Sequence, residues 1–111
     1  MFEKANPGVK VLNNFAASGA LLKQMAEGAP VDVFVSADQE TMDQAVEKKL
    51  IDVATRRDFV ANSLVMIVPS DSKLGLEKAA DLEKPGVERI AVGNPDSVPA
   101  GRYTRQSLTG A

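Results

Sequence analysis

The 111-residue chain contains neither cysteine nor histidine. Without cysteine there can be no disulfide, no thiolate metal site and no cysteine nucleophile. Without histidine, the commonest general base and the commonest transition-metal ligand are both missing. No apolar run approaches the ~20 residues that a membrane-spanning helix requires. No basic segment leading into an apolar core stands ahead of Phe2, so no signal peptide is expected within the chain. Positive charge is never concentrated: the net charge is −2, and only Lys48-Lys49 and Arg56-Arg57 are adjacent basic pairs. These read as solvated helix ends, and a general nucleic-acid surface is not expected. Phosphate-loop, dinucleotide and nucleophile-elbow motifs are absent. Asp32, Asp38, Asp43, Asp52 and Asp58 are too dispersed to form a catalytic carboxylate pair. Enzyme motifs are thus missing, and no cofactor is expected.

What is present is the composition of one ordinary globular domain, with 44% hydrophobic and 25% charged residues. Val9 to Phe15 reads as a strand, with Val9, Val11 and Phe15 on one face. A helix then starts at Ser18 or Gly19, carries Leu21, Leu22 and Met25 on its apolar stripe, and ends at Gly28. Val31 to Val35 is a short β-branched strand, and Asp38 is placed to cap the next helix. Met42, Ala45, Val46 and Leu50 supply the buried side of that helix. Ser63 to Val68 is an unbroken apolar run stopped by Pro69, the pattern of a strand buried on both faces of a mostly parallel sheet. Ser70 to Gly75 reads as loop, Ala79 to Leu82 as a helical turn, and Lys84-Pro85-Gly86 as a turn. Arg89 to Val92 is a further strand, and Gly101 or Arg102 to Leu108 opens a last helix. This order predicts an α/β fold with mostly parallel sheets flanked by helices. Phe2-Glu3-Lys4-Ala5 looks like the tail of a helix already under way, and the last helix looks barely begun, so truncation at both ends is expected.

Two strand-to-helix turns are the candidate sites. At the first, Ser18 could offer its hydroxyl, with the Gly19 and Ala20 amides, to an anion at the positive end of a helix dipole. Ser18 could equally be a serine satisfying its own helix. At the second, Val98-Pro99-Ala100-Gly101 fixes the backbone and keeps the side chains small, so that a ligand could reach the amides. Pro and Gly could also be mere loop punctuation there. Tyr103 beside it reads as core or rim packing. Asn62-Ser63 could be a turn or a hinge between lobes.

The run Phe15-Ala-Ala-Ser-Gly19, followed by Gly28-Ala-Pro-Val-Asp-Val-Phe-Val-Ser-Ala-Asp38, resembles the periplasmic molybdate-binding proteins of ABC importers. Met42-Asp43, Asn62-Ser63-Leu64-Val65, Ala91-Val-Gly-Asn-Pro95 and Val98-Pro-Ala-Gly-Arg-Tyr103 continue the resemblance along nearly the whole chain. It implies a two-lobed, type II periplasmic binding protein fold, with residues 1–62 in the first lobe and 63–111 in the crossing strand and second lobe. It implies molybdate or tungstate as ligand, held by hydroxyls and backbone amides with no counter-cation. Ser18 matches the family's serine ligand and Ala100 the residue whose amide contacts the oxyanion, with Gly19 and Gly101 as backbone support. These oxyanion contacts are the only metal-related ones implied. Selection would rest on cavity size and on donors suited to a fully deprotonated ion.

Other ligand positions of the family, a serine upstream of Met1 and an amide and a tyrosine hydroxyl downstream of Ala111, have no counterpart, and Tyr103 does not replace that tyrosine. The resemblance also puts a strand from upstream of Met1 between Val9–Phe15 and Val31–Val35. Without it, open sheet edges would favour self-association. The implied partner is the membrane permease of an ABC importer, and the parent's implied setting is periplasmic or extracellular and lipid-anchored. A ligand-sensing domain of a transcription regulator shares the fold and is the alternative. A small α/β enzyme acting on phosphorylated substrates would need a base or metal ligand that the turns do not show.

Overall fold

The computed structural model describes residues 1–110. Four α-helices are found among them: α1 (Phe2–Ala5), α2 (Ser18–Ala26), α3 (Gln39–Glu47) and α4 (Pro99–Thr109). Short 3₁₀ turns at Val53–Thr55 and Ala79–Glu83 complete the regular structure.

Each longer helix begins and ends for local reasons. Helix α2 is closed by Gly28, whose φ of 95° supplies the left-handed residue that stops it. Asp38 caps α3, its Oδ1 accepting from the Thr41 amide at 2.9 Å. Helix α4 starts two residues before the earliest start expected from the sequence. Pro99 occupies its first turn, where a residue without an N–H costs nothing and φ is already helical.

The strands expected at Val9–Phe15, Val31–Val35, Ser63–Val68 and Arg89–Val92 do not form; no strand occurs among the described residues. This corrects the expected parallel sheet. A β-segment acquires its ladder only from a neighbour about 4.8 Å away, and no backbone hydrogen bond joins any two of these segments. The apolar side chains intended for a sheet are therefore open. Phe15 is 87% exposed, Val33 79% and Ile67 87%.

The shape follows. The radius of gyration is 18.4 Å, against about 13 Å for a compact domain of this length. The accessible surface is 9297 Å², where a compact protein of this mass would show about 5900 Å². Among described residues the buried apolar side chains are Leu22 and Ala45, and they belong to α2 and α3, which pack together. Of the expected buried side of α3, Ala45 is fully inside, Met42, Val46 and Leu50 are half-buried, and Thr41 joins Ala45 in the core. Apart from Pro99 and Gly101 the rest of the burial is polar: Ser18, Asp38, Thr41 and Arg102 near the amino ends of α2, α3 and α4, and Asp81 in the Ala79–Glu83 turn.

Candidate functional site

Ser18 opens α2 and is buried at 5% exposure. Its Oγ accepts the Ala37 amide proton at 3.0 Å. That bond uses one lone pair and leaves the hydroxyl proton available as a donor. Ser18 therefore does more than cap its helix: it ties the start of α2 to the loop that precedes α3. Within α2, the first backbone bonds are those of the Ala20 and Leu21 amides to the Ala17 carbonyl. The Ser18 and Gly19 amides are thus the orphan donors of this helix start.

Gly19 stands against the second turn. A Cβ built there would lie 3.2 Å from the Ser97 carbonyl oxygen and 3.4 Å from Ser97 Cα. The two turns expected to matter from the sequence are therefore adjacent in space. On the far side, Gly101 packs on the backbone of Gly93 and Asn94. A Cβ at Gly101 would lie 2.9 Å from the Asn94 carbonyl carbon and still closer to the Gly93 carbonyl group. Only glycine lets α4 start in that place. The first helical bond of α4 runs from the Arg102 amide to Val98 O at 3.1 Å, so the Ala100 and Gly101 amides are orphan donors like those of α2. Ala100 itself is exposed.

A broad open cleft of about 1370 Å³ runs beside this junction, walled in part by Ala37, Asp38, Pro99, Ala100 and Tyr103. Ser18 is not in its lining, and its hydrogen-bonded neighbour Ala37 is. Ala100 lines the cleft directly, and Ser18 reaches it through Ala37, whose amide proton it accepts. The cleft exceeds the roughly 300–1,000 Å³ of ordinary small-ligand pockets. Tyr103 lines the cleft and is exposed, so it is not a core residue.

The electrostatics of the junction were not foreseeable from the sequence. Arg102 is buried at 7% exposure. Its Nη1 donates to Asp38 Oδ2, and its Nε lies 3.2 Å from Glu40 Oε2. The Asp38 carboxylate thus serves three partners, the Thr41 amide and the Ser36 hydroxyl with Oδ1 and Arg102 with Oδ2. The guanidinium faces two carboxylates, so the junction offers no uncompensated positive charge to an anion. Arg56 also departs from the expected solvated helix end: it donates to Asp43 Oδ1 at 2.7 Å and to Gln39 Oε1 at 2.6 Å, bracing α3. Among described residues, no group of His, Cys, Asp or Glu has the arrangement of a metal site, and no helix is long and apolar enough to cross a membrane.

Arg102 and the Ala37 amide are the residues that sequence reasoning missed. Arg102 carries no motif of its own, and its partner Asp38 is 64 residues away.

A family model described as bacterial extracellular solute-binding protein matches residues 1–111. The chain belongs to that family. It is 42% identical over 112 residues to a protein named molybdate-binding protein ModA from Escherichia coli (strain K12), covering 95% of this chain and 42% of that protein. The protein of the same name from Haemophilus influenzae is 38% identical, covering 97% of this chain and 44% of its own length. A putative ABC transporter substrate-binding lipoprotein, YvgL, from Bacillus subtilis is 34% identical, covering 97% of this chain and 41% of its own. The chain therefore spans about two fifths of the length of these relatives.

Proposed function

We propose that this chain is the central part of a receptor that captures molybdate, and tungstate with it, for an ABC importer in the periplasm or on the extracellular face. The observation that carries this reading is the junction of the two helix starts. The buried Ser18 hydroxyl keeps a proton to donate, and orphan amides stand at Gly19, Ala100 and Gly101. Oriented amides and hydroxyls at positive helix ends suit a fully deprotonated oxyanion. With Arg102 neutralised by Asp38 and Glu40, such an ion would be held by hydrogen bonds alone. The names of the relatives supply the ligand and the transport role.

In this reading, residues 1–62 belong to the first lobe and 63–111 to the crossing strand and second lobe of a type II binding fold. Ser18 and Ala100 are the ligand contacts, and Gly19 and Gly101 permit the close backbone approach. A membrane permease would receive the ion. The open apolar segments around Val33, Phe59 and Ile67 would make the isolated chain self-associate.

The test is a titration of the ¹⁵N-labelled chain with molybdate, with sulfate as control. Each hydrogen bond to a charged group is worth about 1.5–3 kcal/mol, so a site resting on Ser18 and Ala100 should bind in roughly the millimolar range. Amide shifts should concentrate at Ser18, Gly19, Ala100 and Gly101 with molybdate and stay small with sulfate. Ser18→Ala should abolish them. Shifts absent from these amides, or equal for both ions, would defeat the reading.

A further inference from the structure

We propose that Arg102 is a positioning residue, a clasp that fixes the amino end of α4 against α3 and so sets where the Ala100 and Gly101 amides stand. The clasp is built from both sides. Arg102 sits in the first turns of α4, next to Gly101, and is donor to Asp38 and ion-pair partner of Glu40. Asp38 and Glu40 flank the start of α3, and Asp38 cannot turn away without giving up its cap on Thr41. The Arg102 and Asp38 side chains are 8% and 1% exposed, whereas Glu40 is 56% exposed and forms the outer arm.

Apart from its buried first turn, where Pro99 is buried and Gly101 packs on the backbone of Gly93 and Asn94, little holds α4 in place. Its outer residues Arg105, Gln106, Ser107 and Leu108 are exposed. From residue 59 to 98 no apolar side chain is fully buried, Leu82, Val87, Pro95 and Val98 being among the half-buried ones, and residues 59–71 are exposed throughout. The Gly93–Asn94 turn that touches Gly101 belongs to this open connecting chain, so it fixes the start of α4 locally and not against α3. The close approach of Gly19 to Ser97 supplies a stop, since backbone against backbone limits how near the turns come. The ion pair supplies the pull. A guanidinium suits this task because its planar fork engages two carboxylates in fixed directions. The effect on oxyanion affinity rests on the proposed function, whereas the clasp itself is a property of the unliganded chain.

The absence of cysteine allows clean labelling. Spin labels at Glu47→Cys on α3 and Gln106→Cys on α4 report the distance between the helices without ligand. The chain with Arg102 intact should give one narrow distance distribution, and Arg102→Ala a broader and longer one, with Arg102→Lys between them. Should Arg102→Ala lose helix content by circular dichroism, the Asp38→Asn/Glu40→Gln variant keeps the cap and should widen the distribution in the same way. An unchanged distribution in the variant that retains its helices would overturn the clasp. In the molybdate titration, Arg102→Ala should weaken binding by roughly 5- to 150-fold, the range typical of coupling between sites. Equal affinity despite a widened distance would overturn the positioning role. If the intact chain ignores molybdate, the functional reading fails, and the label distances still decide the clasp.

Discussion

Replacing Gly101 by alanine sets two effects of opposite sign against each other, and the structure decides which wins. Helix propensity alone favours alanine over glycine by about 0.8–1.0 kcal/mol in a helix interior. This is an upper limit in the first turn of α4. Against it stands the new Cβ, 2.9 Å from the Asn94 carbonyl carbon and closer still to the Gly93 carbonyl. These neighbours are backbone, so no side chain can rotate away, and either α4 or the Gly93–Asn94 turn has to move. Overpacking of this kind costs about 1–3 kcal/mol or more. Because the clash is with backbone it belongs at the upper end, about 3 kcal/mol. Less about 1 kcal/mol of propensity, the net loss is roughly 2 kcal/mol, visible as about a 30-fold acceleration of amide hydrogen exchange in α4. Gly19→Ala is the internal control. Its Cβ would meet the Ser97 carbonyl at 3.2 Å, which a shift of a few tenths of an ångström relieves, so its exchange rates should stay near those of the parent. Slower exchange in α4 of Gly101→Ala would refute the argument, because propensity would then have outweighed the clash.

Further outcomes follow from the same geometry. Asp38→Asn keeps an N-cap while removing the charge, so in urea unfolding it should be more stable than Asp38→Ala by about 0.5–2 kcal/mol; equal stability of the two would remove the cap from the account. Asp81 accepts the Glu77 and Lys78 amides at 2.9 and 3.0 Å and pairs with Lys84 at 3.1 Å. The Glu77 amide, the Lys84 ammonium and the Lys78 amide hold its carboxyl below the ordinary value. Its contribution to the Ala79–Glu83 turn should therefore be complete above the ordinary carboxylate range and lost as pH falls through the lowered value. An NMR titration in which the Glu77 and Lys78 amides move at or above the ordinary range would contradict this. On size exclusion the chain should elute as a concentration-dependent assembly; a monodisperse monomer with a sharp thermal transition would show that the open apolar segments cover themselves.

The sequence by itself determined the longer helices and several of their ends. Gly28 after α2 and Asp38 before α3 act within a few residues, and local chemistry of that kind is legible without a fold; for α4, whose first residue is Pro99, the sequence points to a start two residues later. It also marked the Ser18 and Ala100 turns as candidate sites, because a small-residue turn ahead of a helix leaves amides free wherever it occurs. The family membership rests on the same local motifs. The strands were a different matter. Val31–Val35 and Ser63–Val68 have the composition of buried strands, but a strand exists only when a neighbour accepts its hydrogen bonds, and no residue within the segment can serve. Only the tertiary structure decided that these segments stay open, that Ala37 bonds to Ser18, and that Gly19 meets Ser97. It alone paired Asp38 with Arg102 across 64 residues. An ion pair of that separation leaves no periodicity, cap or turn in the chain, because it depends on where two helix starts meet in space.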